Sequence, residues 1–181
     1  MRNMIMGVLG GCLFAMSPLG FSSESMEDQD VELTDITHGN CSMQFPGAPQ
    51  RVSEKMQLEG EGFDLQYDAY VSSSSDDKTI YMLLVAQYPD YVDENFARMS
   101  LEAFLNGILT HNAENQLLSA DLVLVQGHEG LDFFIRSGGI YFKGVAVMIR
   151  NQLYVMAMEC EVQNYDEASY TAFVKSFSLE S

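Results

Sequence analysis

Four apolar runs in the second half of the chain are separated by very short links, and this spacing restricts the fold more than any other feature. The runs are 120–126, 131–137, 140–150 and 152–160. The links between them contain one to four residues, mostly glycine or polar. Because a parallel crossover needs about a dozen residues or more, links this short join only antiparallel neighbours. We therefore predict an antiparallel β-sheet in this half.

The preceding part of the chain predicts further strands. Residues 63–71 alternate apolar and polar side chains, a period of two that favours a strand with one buried face. Residues 80–88 are almost continuously apolar, which is typical of a central strand covered on both faces. Two shorter runs, 41–45 and 51–58, complete this set.

Two segments with helical periodicity predict two helices. In the first, Ser100 is the predicted N-cap, and the helix is expected to end near Gln116. Its apolar stripe is Leu101, Phe104, Leu105, Ile108 and Leu109. In the second, Asn164 and Glu167 stand three residues apart in a variant of the capping box. The stripe that follows is Tyr170, Phe173, Val174 and Phe177.

Residues 1–22 have the pattern of a secretory signal peptide. A positive charge precedes an apolar run, small residues follow, and acidic residues begin directly afterwards. We predict cleavage after Ser22 or Ser23 and an exported protein, periplasmic or secreted, with no transmembrane segment after cleavage. Lipidation of Cys12 is an alternative, because the Leu-Gly-Gly-Cys motif at 9–12 resembles the lipobox of bacterial lipoproteins.

Residues 23–40 are polar and acidic, and we predict a flexible tether there. The segment has too little apolar surface to fold alone. Residues 41–181 are then expected to form a single domain.

Removal of the signal leaves two cysteines, Cys41 and Cys160. In an exported protein an even pair is a disulfide candidate. Two separate buried thiols are the alternative, and the sequence does not decide between them. Neither cysteine lies in a CxxC motif, so a thioredoxin-like redox role is not expected.

The charge of the chain restricts its partners. The formal net charge is −17, from 9 basic and 26 acidic residues. Such a chain repels nucleic-acid backbones and anionic lipid surfaces, so we predict no nucleic-acid binding. The same charge favours a partner protein with a basic surface, although its identity is unknown.

No catalytic motif is recognisable, and no cofactor is predicted. His128-Glu129 begins like a zinc-protease motif, but Asp132 stands where the second histidine is needed. Asp90, Asp93 and Glu94 share one loop and could supply part of a shell for a hard cation. Solvated loop acids are the favoured interpretation, so no metal site is predicted.

The outline of the chain resembles the PsbP-like family of α/β/α sandwiches, which includes many exported bacterial proteins of unknown role. The resemblance is carried by Phe45-Pro46-Gly47-Ala48-Pro49, by the helix at 101–109 and by the closing segment 170–179. It covers roughly 41–179 and includes no catalytic signature. The resemblance implies the fold and a habit of protein binding.

The predicted fold class is therefore α+β: an antiparallel β-sheet with two packed helices in an α/β/α sandwich. The predicted function is an exported, non-catalytic module that binds protein or assists envelope assembly. Two alternatives remain open: a carrier of a small ligand or divalent metal, and an enzyme with an unrecognised site.

Overall fold

A computed structural model describes residues 33–57 and 64–180. Within these residues there are ten strands and two helices, together with two short 3₁₀ turns at Glu94–Phe96 and Val162–Asn164. The strands are β1 (Leu33–His38), β2 (Cys41–Pro46), β3 (Gln50–Gln57), β4 (Asp64–Ser73), β5 (Thr79–Gln87), β6 (Asn115–Val125), β7 (His128–Ser137), β8 (Ile140–Ile149), β9 (Gln152–Glu161) and β10 (Ser178–Leu179). The helices are α1 (Ala97–His111) and α2 (Glu167–Lys175).

The strands form two antiparallel sheets. The larger has seven strands in the order β3-β4-β5-β9-β8-β7-β6, and the smaller has three in the order β1-β2-β10. Every pairing in both sheets is antiparallel, as the short links predict. Strands β5 and β9 lie in the interior of the large sheet, which explains their almost continuous apolar sequence.

Each face of the seven-stranded sheet has its own apolar core. On one face, Leu101 and Ile108 of α1 pack against side chains of the sheet that include Phe133 and Phe142. On the other face, the three-stranded sheet and α2 supply the cover, and the Phe45 and Phe173 rings meet edge to face.

The predicted α+β fold class, an α/β/α sandwich, is wrong, because the structure is a β-rich fold. Of the described residues, 57% are in strands and 22% in helical conformation, and these residues form two antiparallel sheets and two helices. The second face of the large sheet is covered by three further strands beside the nine-residue α2. That small sheet was not foreseen from the sequence.

The unforeseen strand is β1, which lies inside the predicted tether. Residues 33–38 pair along their whole length with β2, and residues 39–40 form the turn between them. Exposed and half-buried residues alternate along β1, so Asp35 points to solvent while Ile36 packs on the core. The predicted signal peptide, Cys12 and the rest of residues 1–32 lie outside the described residues. Neither helix in the described part of the chain is long and apolar enough to cross a membrane.

The helix boundaries differ from the predicted ones. Ser100 is buried inside α1, and the carboxylate that accepts from a free backbone N–H before the helix is Asp93. Helix α1 ends at His111 because the chain already enters β6 at Asn115. The N-cap of α2 is Asp166, whose carboxylate accepts from the N–H groups of residues 168 and 169.

Candidate functional site

Strand β6 is one edge of the seven-stranded sheet. It has 11 residues, and within the described residues it pairs only with β7. An edge strand presents a row of backbone N–H and C=O groups to its open side. We call this open side of Asn115–Val125, with the exposed side chains along it, the β6 edge.

The β6 edge exposes several large apolar side chains. They are Leu117, Leu118, Leu122 and Leu124, and Leu124 is the most exposed at 78%. Leu117 and Leu122 lie opposite Ile135 and Leu131, two residues of the core beneath α1. Since directly opposed residues share a face, these leucines lie on the face of that core, at the edge of the sheet.

The other face of β6 carries one charge, at Asp121, beside Val123 and Val125, which pack against the core beneath the small sheet. Asp121 lies directly opposite Asp132, so two carboxylates occupy neighbouring positions. The Tyr170 hydroxyl donates to Asp132 Oδ2 at 3.3 Å. Burial raises the pKa of Asp132, and the negative charge of Asp121 acts in the same direction, although Lys143 opposes both.

The start of α1 lies at the end of the sheet where β6 turns into β7. Glu94 accepts a hydrogen bond from the Arg150 N–H at 2.8 Å, and its carboxylate lies 3.4 Å from His128 Nδ1. His128 is the residue directly opposite Val125 at the end of β6. The exposed side chains of Phe96 and Met99 therefore belong to the same end of the molecule as Leu124.

The opposite edge of the large sheet, β3, has different chemistry. Its described side chains are mostly polar, with Arg51, Ser53 and Lys55 exposed. Arg51 donates from Nε and Nη2 to Asp68 Oδ1 at 3.2 and 3.1 Å, and Ser53 donates to the same oxygen. Charged side chains are a common protection of edge strands against pairing.

Asp68 is the centre of a polar network that joins β1, β3 and β4. His38 Nε2 lies 3.5 Å from Asp68 Oδ2, and His38 Nδ1 lies 2.9 Å from the Tyr70 hydroxyl. Burial alone would raise the pKa of Asp68, but the hydrogen bonds from Ser53 and Arg51 outweigh it and lower the pKa. Ser53 donates to the carboxylate and not to the histidine, so this is not the order of a hydrolase triad.

A second polar cluster fastens α2 to the sheet. Lys143 donates to Glu167 at 2.9 Å and to the Tyr165 hydroxyl at 3.1 Å, and its ammonium lies 4.5 Å from the centre of the Tyr170 ring. Burial disfavours the charged lysine, but the hydrogen bonds to Glu167 and Tyr165 leave its pKa raised. The Lys143 ammonium therefore lies over the Tyr165 and Tyr170 rings, in a cation–π arrangement.

Cys41 and Cys160 are free thiols in the structure, and both are buried in the core beneath the small sheet. Burial raises the pKa of each thiol to about 11. Of the two arrangements left open by the sequence, the structure has the separate buried thiols.

The acidic loop residues each have their own partner. Asp90 accepts from the Asn151 amide at 2.9 Å, Asp93 caps the turn at Asn95, and Glu94 is held by Arg150 and His128. Within residues 33–57 and 64–180, no group of three or more His, Cys, Asp or Glu side chains could hold a metal ion. The structure therefore does not bring Asp90, Asp93 and Glu94 together as ligands.

Two clefts in the described part of the chain bear on the carrier and enzyme alternatives. An open cleft of about 400 Å³ is lined by Lys78 and several acidic groups, with Glu159 and Glu161 among them. A second of about 330 Å³ contains Glu94, His128 and Glu180. Both clefts are partly open to solvent, whereas a typical small-molecule pocket encloses most of its ligand.

The leucines of the β6 edge were not recognised from the sequence as a surface. The sequence predicts that the first helix ends near Gln116, just before Leu117, and places Leu122 and Leu124 in a strand without marking it as an edge. The available signal was the run of leucine and valine at 117–125 without lysine, arginine or proline. That run predicts a strand, but its position at an edge depends on the order of all seven strands.

No model of a known protein family matches the chain, and no curated protein matches it. The PsbP-like resemblance stays a prediction.

Proposed function

We propose that the protein is an exported, non-catalytic module that binds a partner protein with a basic surface, in the envelope or outside the cell. The observation that carries the proposal is the β6 edge, where a strand with exposed leucines has no partner on its outer side within the described residues. Several large apolar side chains exposed along one strand favour a protein-binding site.

Burial of the leucines provides the driving force. Leu124 is 78% exposed, so covering it would contribute about 1–2 kcal/mol, and Leu117, Leu118 and Leu122 would each contribute less. These gains must offset the cost of association, so a partner has to cover most of the β6 edge at once.

The charge of the chain supports a basic partner. At −17, the protein attracts a positively charged surface over long range and repels acidic ones. The N-terminal signal pattern supports export, and a mature N-terminus at Ser23 or Glu24 in an envelope or secreted fraction is the expected result of N-terminal sequencing.

Site-specific photo-crosslinking in the organism that makes the protein tests the proposal. A photoreactive amino acid replaces Leu124 on β6 in one strain and Lys55 on β3 in another. Both positions are exposed on edge strands of the same sheet, so they form a matched pair. We expect a discrete crosslinked product with another protein from position 124 and none from position 55.

Equal crosslinking from both positions, or none from position 124, would overturn the proposal. The crosslinked partner is identified by mass spectrometry, and the peptide joined to position 124 is expected to be rich in basic residues. An acidic partner peptide contradicts the charge argument.

A further inference from the structure

We propose that the partner is bound as an additional β-strand along the β6 edge, and that the bound segment places apolar side chains beside the leucines and a lysine or arginine beside Asp121. This inference rests on the proposed function and specifies how the same site recognises its partner. An extended segment that adds to a sheet edge takes its affinity from main-chain hydrogen bonds and its specificity from alternate side chains.

The backbone of β6 suits strand addition. Its pairing with β7 extends from Asn115–Ser137 to Val125–His128, so the strand is held extended over its whole length, with one register shift between Leu117 and Ser119. Within the described residues its other side carries no strand. The outward N–H and C=O groups are therefore already in position for a new ladder.

The two faces of β6 specify which side chains suit each position. Leu122 and Leu124 lie on the face of the core beneath α1, whereas Asp121 lies on the opposite face with Asp132, next to Val123. Successive side chains of an added strand point alternately to these two faces. Residues beside the leucines are then best apolar, and the residue beside Asp121 is best a cation.

The direct opposition of Asp121 and Asp132 strengthens the preference for a cation. Like charges on directly opposed residues destabilise a sheet, and both side chains here are acidic. A lysine or arginine on the added strand would lie next to Asp121 and reduce this repulsion.

Charge argues against a second copy of the chain as the added strand. Each copy carries −17, so two copies repel each other over long range. Two β6 strands paired antiparallel about their middle residue, Ala120, would also place the two Asp121 carboxylates on diagonally neighbouring positions. A basic segment of another protein avoids both penalties.

Peptide binding tests the inference, measured by fluorescence anisotropy at about 0.15 M salt. Three labelled seven-residue peptides are compared: alternating leucine and lysine, alternating leucine and glutamate, and the same leucines and lysines in two blocks. We expect the alternating leucine–lysine peptide to bind at least tenfold more tightly than either of the others. The block peptide has the same charge, so it separates strand recognition from attraction to a −17 protein.

Two variants test whether a lysine of the bound peptide lies beside Asp121. Asp121→Asn should weaken binding of the alternating leucine–lysine peptide about three- to tenfold. Glu102→Gln removes one charge from an exposed position on α1, where Glu102 pairs with Arg98, and should leave affinity within twofold. Equal effects of the two variants, equal binding of the block peptide, or dimers of the protein alone in sedimentation would overturn the inference.

Failure of this inference differs from failure of the proposed function. If position 124 crosslinks a partner but the three peptides bind alike, strand addition by such a segment is wrong and partner binding stands. If position 124 crosslinks nothing, the proposed function itself is wrong.

Discussion

The two edges of the seven-stranded sheet, β3 and β6, present opposite solutions to the same physical problem. An unpaired strand can pair with any other extended chain, and proteins usually prevent this with charge or cover. Strand β3 carries exposed Arg51 and Lys55, and the Asp68 network fixes it to β4 and β1. Strand β6 exposes leucines and has no lysine, arginine or proline.

Protection against pairing with another chain therefore differs between the two edges of one sheet. The register shift at Leu117 and Ser119 is a partial protection of β6, because a bulge disturbs pairing at one end of the strand. The remainder, from Ala120 to Val125, is regular, and among the residues that the structure describes no strand pairs with its outer side. An edge left open in this way, beside one closed by charge, is the reason for placing the partner on β6.

The largest difference that we expect is in the reactivity of thiols at the β6 edge and in the buried core. A cysteine introduced as Leu124→Cys should react with a thiol reagent at pH 8 at least about a hundredfold faster than Cys41 and Cys160. Burial raises the pKa of both native thiols to about 11, whereas an exposed thiol titrates near about 8.5. Reaction rates followed by mass spectrometry check this.

Unfolding provides the control for the native thiols. Both should react quickly and completely in denaturant without a reductant, because both are free in the structure. Two thiols that react only after reduction would show a disulfide and contradict the structure.

A change at the other edge should lower stability. Asp68→Asn removes the charged acceptor shared by Arg51 and Ser53, and we expect a loss of about 1–3 kcal/mol in the free energy of unfolding at pH 7. The pKa of Asp68 is lowered in the folded protein, so its contribution is present above about pH 4 and is lost as the pH falls through the lower folded value. Urea unfolding from pH 7 to pH 2 measures it.

The variant should therefore show a weaker dependence of stability on pH below about 4 than the parent protein. Parallel curves for the two proteins in that range would mean that the Asp68 network does not close the β3 edge in the way described.

Charge introduced on β6 should remove binding without affecting the fold. In the double variant Leu122→Lys and Leu124→Lys, we expect the yield of partner crosslinked from position 117 to fall at least tenfold. The free energy of unfolding should change by less than about 0.5 kcal/mol, since both leucines are exposed. The matched control, Ala103→Lys with Asn106→Lys on the exposed side of α1, should retain the crosslink.

The smallest expected effect concerns the paired carboxylates. Asp121→Asn should raise the free energy of unfolding by no more than about 0.5 kcal/mol, because it relieves repulsion between directly opposed Asp121 and Asp132. Thermal unfolding at low salt gives the best sensitivity. A clear loss of stability would mean that Asp121 is a structural residue, and its use for a partner would then be in doubt.

Much of the large sheet could be predicted from local sequence. The strands at 140–150 and 152–160 are nearly those observed, because one-residue and two-residue links leave antiparallel pairing as the only arrangement. Strand β1 could not be predicted, because Ile36 is its single inward apolar residue and the residues around it are mostly polar. One apolar residue is too weak a pattern to indicate a strand.

The candidate site was harder to predict than the strands. The leucine run at 117–125 indicates a strand, but nothing local tells an edge strand from a covered one. That distinction depends on the order of the seven strands in the sheet, which places β3 and β6 at its two ends. The order is set by contacts between residues far apart in the chain, such as the pairing of β5 with β9. The opposition of Asp121 and Asp132 likewise depends on the observed register.

Hydrogen exchange on the free protein and on its complex with the alternating leucine–lysine peptide tests the open-edge account most directly, since both edge strands are measured in one sample. The account predicts that the peptide slows exchange of amides within Asn115–Val125 at least tenfold and leaves Gln50–Gln57 unchanged. Slower exchange in β3, or unchanged exchange in β6 at saturating peptide, would contradict it.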